Sequence, residues 1–123
     1  MDYVAFYNKQ GRPIAWIGDN KNYPSIFLFS GQPVAWMTDD CIYNYSGKYL
    51  GWFQDGWVRD RDGHAVFYTQ GATGGPAKPA RQARPARGAR SARPARGARE
   101  ARPARAARTT SWSPLSDEFF FDQ

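Results

Sequence analysis

The sequence predicts an all-β fold: four β-hairpin repeats in a closed, roughly four-fold ring, followed by an extended or disordered basic C-terminal arm. Three observations carry that expectation. A glycine-centred unit recurs four times, at Gly11, Gly31, Gly47 and Gly63, with spacings of 20, 16 and 16 residues. Each glycine closes a turn dipeptide, Gln10-Gly11, Ser30-Gly31, Ser46-Gly47 or Asp62-Gly63, where positive φ costs little. The flanks are rich in Val, Ile, Tyr, Phe and Trp, which suit strands.

The repeat is defined column by column. Five residues after each glycine stand Trp16, Trp36, Trp52 and Tyr68, and three after it Ile14, Val34, Leu50 and Val66. Five before it stand Phe6, Ile26, Ile42 and Val58. Asp19, Asp39 and Asp55 follow eight after, with Gly71 breaking that column. The longer first gap holds an insertion from Asn20 to Pro24. Pro13 and Pro33 fall at strand starts, where a missing N–H is tolerated, and Asp55-Gly56 marks the turn between the third and fourth copies. About eight short strands are expected within residues 3–69.

Alternation places Ile14/Trp16, Val34/Trp36, Leu50/Trp52 and Val66/Tyr68 on one face of their strands. The opposite face carries the small column Ala15, Ala35 and Gly51, which would let backbones crowd around an axis. Phe67 breaks that column, so the fourth copy should be distorted or plug a gap. A sixteen-residue period is too short for a four-stranded propeller blade. Two-stranded units closed into a ring would remove the edge strands.

Charge is segregated along the chain. Residues 1–75 hold six Lys/Arg against seven Asp, residues 76–108 hold eleven basic residues against Glu100, and residues 109–123 hold Asp117, Glu118 and Asp122. The expected organisation is a four-hairpin domain at 1–70, a Gly-rich linker at 71–75, a triplet-repeat arm at 76–108 and an aromatic segment at 109–123. The arm is eleven X-Ala-Arg triplets, with Lys78 once in place of Arg. A three-residue period matches polyproline II, in which the tract would reach roughly 100 Å with its cations in one stripe.

The residues Gly-x-Pro-[Ile/Val]-Ala-Trp in the first two copies, then Gly51-Trp52-Phe53-Gln54-Asp55-Gly56-Trp57-Val58-Arg59-Asp60, resemble the bacterial 4-fold β-flower proteins. The resemblance covers residues 1–70 and extends to the arm and to Ser111-Trp112-Ser113-Pro114-Leu115-Ser116. Relatives carry Pro-Leu-Lys-type triplets there; in this chain Ala replaces Leu and Arg replaces Lys. The resemblance implies the fold and carries no activity with it.

Functionally, the arm reads as a polyanion-binding element, its candidate contacts being Lys78, Arg81, Arg84, Arg87, Arg90, Arg93, Arg96, Arg99, Arg102, Arg105 and Arg108. Arginine forks suit phosphates. With no aromatic inside the tract, binding to nucleic acid would be independent of sequence. The alternative for the arm is a solvated spacer or a structural element. Trp112, Leu115, Phe119, Phe120 and Phe121 form a candidate surface for self-docking or for a protein partner. The expected function is a non-enzymatic interaction or scaffold module; the alternative is a lectin-like module stacking sugars on repeated Trp and Tyr.

No catalytic, cofactor or metal site is expected. His64 is the one histidine and follows a turn; Cys41 is the one cysteine, which excludes an intramolecular disulfide. No spacing supports a Cys41–His64 dyad. The recurrent Asp residues read as turn formers. Neither a signal peptide nor a membrane span is expected, so the default location is cytoplasmic.

Overall fold

The computed structural model describes residues 3–18, 23–115 and 118–123. Asp19 and most of the Asn20–Pro24 insertion lie outside the described residues. Eight strands follow in chain order: β1 (Val4–Tyr7), β2 (Pro13–Gly18), β3 (Ser25–Leu28), β4 (Pro33–Thr38), β5 (Cys41–Tyr43), β6 (Tyr49–Gln54), β7 (Trp57–Asp60) and β8 (Ala65–Tyr68). Each pairs antiparallel with the next, and β8 returns to β1, closing a barrel. A 3₁₀ turn, Glu118–Phe120, follows near the end. Among the described residues no helix is long and apolar enough to cross a membrane.

The four hairpin tips share one construction. The repeat glycines have φ between 82° and 99°, and each donates its amide to the carbonyl three residues earlier, at Asn8, Leu28, Asn44 and Asp60. In three tips that residue is Asn or Asp, and its side-chain oxygen accepts two further amides. Asn8 takes those of Gln10 and Arg12, Asn44 those of Ser46 and Lys48, and Asp60 those of Asp62 and His64. This local capture is why Asx residues favour turns. Two of the connections at the other end are tighter. Asp39-Asp40 and Asp55-Gly56 are two-residue links with positive φ throughout, the conformation whose twist matches paired strands.

One expectation about faces is corrected by the structure. Every hairpin contains a register shift: Phe6 pairs with Ala15 but Tyr7 with Pro13, and the same slip recurs at Ile26/Phe27, Ile42/Tyr43 and Val58/Arg59. The extra residue is Ile14, Val34, Leu50 or Val66. A bulge of this kind interrupts the two-residue alternation. Ile14, Leu50 and Val66 therefore join the cluster that contains Phe6 and Ile26, and Val34 packs on it. Trp16, Trp36 and Trp52 stand on the outside of the barrel wall.

Inside, paired residues form a layer: Phe6 with Ala15, Ile26 with Ala35, Ile42 with Gly51 and Val58 with Phe67. Large faces small in three pairs. At Gly51 a side chain would overlap the Arg59 carbonyl of the neighbouring strand, so the column is small because backbones meet there. Phe67 fills the remaining space, stacking on Phe6 and on Phe121 and meeting Phe120 edge-on. Phe120 and Phe121 are buried in this cluster.

The seam between β1 and β8 is a single pair, Tyr7 with Tyr68. Where β8 runs past β1, residues 111–113 lie beside it: Ala65 donates to the Ser111 carbonyl at 3.0 Å and Ser113 donates to the Ala65 carbonyl at 2.7 Å. Trp112 thereby reaches Trp57 and Tyr68.

Candidate functional site

The arm lies against the outside of the barrel in a nine-residue register. The amides of Gln82, Ser91, Glu100 and Thr109 donate to the carbonyls of Gly11, Gly31, Gly47 and Gly63, at 2.8, 3.0, 2.9 and 3.2 Å. Three triplets thus serve each hairpin. In polyproline II this is a step of about 28 Å per hairpin. Such a backbone makes no internal hydrogen bonds, which leaves its amides free to pair with the barrel.

The three triplets of a unit do different work. The first begins at Pro79, Gly88, Gly97 or Ala106, against a hairpin tip; Gly88 and Gly97 donate to the Phe29 and Tyr45 carbonyls at 2.7 Å each. The second begins with a polar residue, which in three of the four units grips the tip through its side chain as well. Gln82 Nε2 donates to the Gln10 carbonyl, Glu100 Oε1 accepts the Tyr49 amide at 2.9 Å, and Thr109 Oγ1 meets His64 Nδ1 at 3.1 Å. The third begins with Pro85, Pro94 or Pro103, where no amide is called upon. The X residues therefore repeat every nine, a period present in the sequence but hidden beneath the stronger three-residue one.

Arginine positions follow the same code. The first arginine of a unit lies over the aromatic four residues before the repeat glycine: Arg81 over Tyr7 at 5.8 Å, Arg90 over Phe27 at 5.6 Å and Arg99 over Tyr43 at 5.7 Å. The third covers the tryptophan column: Arg87 over Trp16 and Arg96 over Trp36, both at 4.8 Å, and Arg105 over Trp52 at 5.4 Å. Arg84 shares the Tyr3 ring with Arg87, and Arg93 shares the Tyr23 ring with Arg96. Arg93 and Arg102 also donate to Ser25 Oγ and Cys41 Sγ, equivalent positions in the second and third copies. The sulfur contact raises the pKa of the Arg102 guanidinium. Cation–π contacts at exposed sites contribute about 0.5–1 kcal/mol each, and here they recur around the barrel.

The fourth unit departs from the pattern because Arg59 occupies the aromatic column. Arg59 is fully buried. Its Nη1 donates to the carbonyls of Gly63 at 2.6 Å and Thr109 at 2.8 Å, and its Nη2 to that of Gly74 at 3.3 Å. One guanidinium thereby ties the last tip to both ends of the arm. Burial, then the nearby Arg108, lowers its pKa. Arg108 finds no ring beneath it and pairs with Asp55. Close by, Ser113 Oγ donates to Asp60 Oδ2 at 2.5 Å.

The candidate residues fall into two groups. The ten arginines and Lys78 stay on the surface although their arm is docked, all exposed except the half-buried Arg93. Lys78 Nζ donates to the Ala72 carbonyl at 2.7 Å. In the ending, Phe120 and Phe121 are buried, Trp112 and Leu115 are half-buried, and Phe119 is 57% exposed. Trp16, Trp36 and Trp52 are 2%, 3% and 1% exposed. The lectin-like alternative requires open rings, and these are covered. Cys41 is buried beneath Arg102 and His64 lies against Thr109. Among the described residues no group of His, Cys, Asp and Glu is arranged to hold a metal ion.

Four bulged hairpins closed about a phenylalanine axis and girdled by their own C-terminal arm define a self-wrapped β-barrel. The chain matches the model of the 4-fold beta flower proteins over residues 4–121, arm included, and it belongs to that family. No curated protein and no solved structure matches it.

Proposed function

We propose that this protein is a non-enzymatic interaction module that binds a polyanion, through the arginines its arm displays around the barrel. One observation supports the reading above others: the arm is docked through its backbone and X residues, while nearly all its cations remain exposed. The rings beneath hold guanidinium groups in place without consuming their charge. Among the described residues Glu100 is turned toward the Tyr49 amide, Asp55 pairs with Arg108, and Asp39 lies near Arg102. Side chains already ordered lose less freedom on binding than those of a free arm.

The test is a titration of the full chain with labelled polyanions at several salt concentrations. Binding should weaken steeply with salt, as counterion release requires, and should not depend on base sequence. An absence of binding to any polyanion at about 50 mM salt, where such contacts are strong, would overturn the reading and leave the arm a purely structural girdle.

A further inference from the structure

We infer that the girdle selects flexible phosphate chains over stiff duplexes, an inference that rests on the polyanion reading. The stacked cations are spread over the first three of the four hairpins: Arg81 over Tyr7 of β1, Arg90 over Phe27 of β3, Arg99 over Tyr43 of β5 and Arg105 over Trp52 of β6. Because β8 returns to β1, the charges face outward in successive directions and form a convex belt. A ligand engaging more than one side must bend around a body whose radius of gyration is about 13 Å for a chain of roughly this size. Duplex DNA, with a persistence length of about 50 nm, touches such a body along one side only. A single chain of phosphates follows the belt.

The same covering that hides the tryptophans specifies the chemistry further. Single-strand binders ordinarily stack bases on open aromatic rings. Here Trp16 and Trp36 lie under Arg87 and Arg96, and Trp52 lies under Arg105. The belt offers bases no open tryptophan, so recognition there rests on guanidinium–phosphate contacts. The ligand class is a flexible linear polyphosphate, whether inorganic polyphosphate or a single-stranded nucleic acid held by its backbone.

The full chain would be titrated with inorganic polyphosphate, an abasic single strand, a base-bearing single strand and a duplex, all matched in phosphate number. The three flexible chains should bind alike and about tenfold or more tighter than the duplex, with salt slopes that report more phosphates engaged. Equal affinity for duplex would overturn the selectivity while leaving polyanion binding in place; no binding by any of the four would remove both. Binding of the base-bearing strand alone would show base stacking and defeat the phosphate-only claim. Two variants test the belt: R81Q with R84Q on the first hairpin, and R99Q with R102Q on the third. Each pair should weaken polyphosphate binding and flatten its salt slope, in protein whose circular dichroism shows the barrel intact. Loss from one pair only would place the ligand on a single side and refute wrapping.

Discussion

Gly97 donates its amide to the carbonyl of Tyr45 at 2.7 Å, and a side chain there would overlap the carbonyl of Ser46. Gly88 makes the same approach to the second hairpin, between the carbonyls of Phe29 and Ser30. Gly97→Val should therefore lift the arm from the third tip while leaving the first in place. Faster amide exchange at Gly97 and Glu100, with Gln82 unchanged, is the expected result. Uniform exchange along the arm would show that the units do not dock independently.

Much of this architecture was legible in the sequence. The glycine, tryptophan and small-residue columns forecast eight strands and a closed ring, and Phe67 announced itself as the odd member of its column. The bulges were not legible, because an inserted residue is a property of hairpin pairing and leaves period-two patterns looking intact. They moved Ile14 and Leu50 to the interior and the tryptophans outward. Docking of the arm was hidden for a related reason. Its stacking partners, Tyr7, Trp16 and their equivalents, lie in a different part of the chain from the arginines, so the tract by itself reads as solvated. The nine-residue recurrence of Gly or Pro, a polar residue, then Pro was the available signal, and it matches the first three hairpins unit for unit.

Trp52 sits between the barrel wall and the arm, donating from Nε1 to Gln54 Oε1 at 3.1 Å beneath Arg105. Trp52→Ala removes both the burial and the platform. Large-to-small changes of this kind cost about 3–5 kcal/mol, and the loss here should fall on the arm as well as the barrel. Thermal melting should drop and trypsin should cut the tract after Arg105, at the Arg105–Ala106 bond, much faster. Unchanged melting would mean that the ring is a surface group rather than part of the core.

Phe120 and Phe121 complete the interior next to Phe67. Deleting 118–123 should lower the melting temperature and open an apolar site to a fluorescent dye, since an uncovered apolar patch is what such dyes report. A truncated chain that melts as the full one does, without dye binding, would show that Phe67 closes the barrel unaided.

Tyrosine titration gives a pH dependence of known sign. Burial raises the pKa of Tyr45 to about 12, and burial also raises those of Tyr49 and Tyr68. Between the unfolded value of about 10 and the folded one, the folded protein keeps protons that the unfolded chain has released. Stability is then fully present below pH ~10 and falls as pH rises toward about 12. Denaturation at alkaline pH should coincide with the appearance of phenolate absorbance, and Tyr45→Phe should make the decline shallower. Phenolate formation in advance of any unfolding would place these hydroxyls in open solvent.

Arg59 supplies the sharpest test of how the arm is fastened. Its two terminal nitrogens satisfy the carbonyls of Gly63, Thr109 and Gly74 in a fully buried setting. Arg59→Met keeps much of the apolar stem and strands those acceptors, and each buried unsatisfied group costs about 1–3 kcal/mol. Arg59→Lys restores charge but lacks the planar fork that spans three acceptors, so it should recover little. Both variants should release residues 109–113 from β8, read as lost protection at Ala65 and Ser113. The first hairpin should stay protected in each, because Gln82 still holds the Gly11 carbonyl. If Lys were to restore wild-type protection, charge alone would suffice and the three-way clasp would not be what closes the girdle.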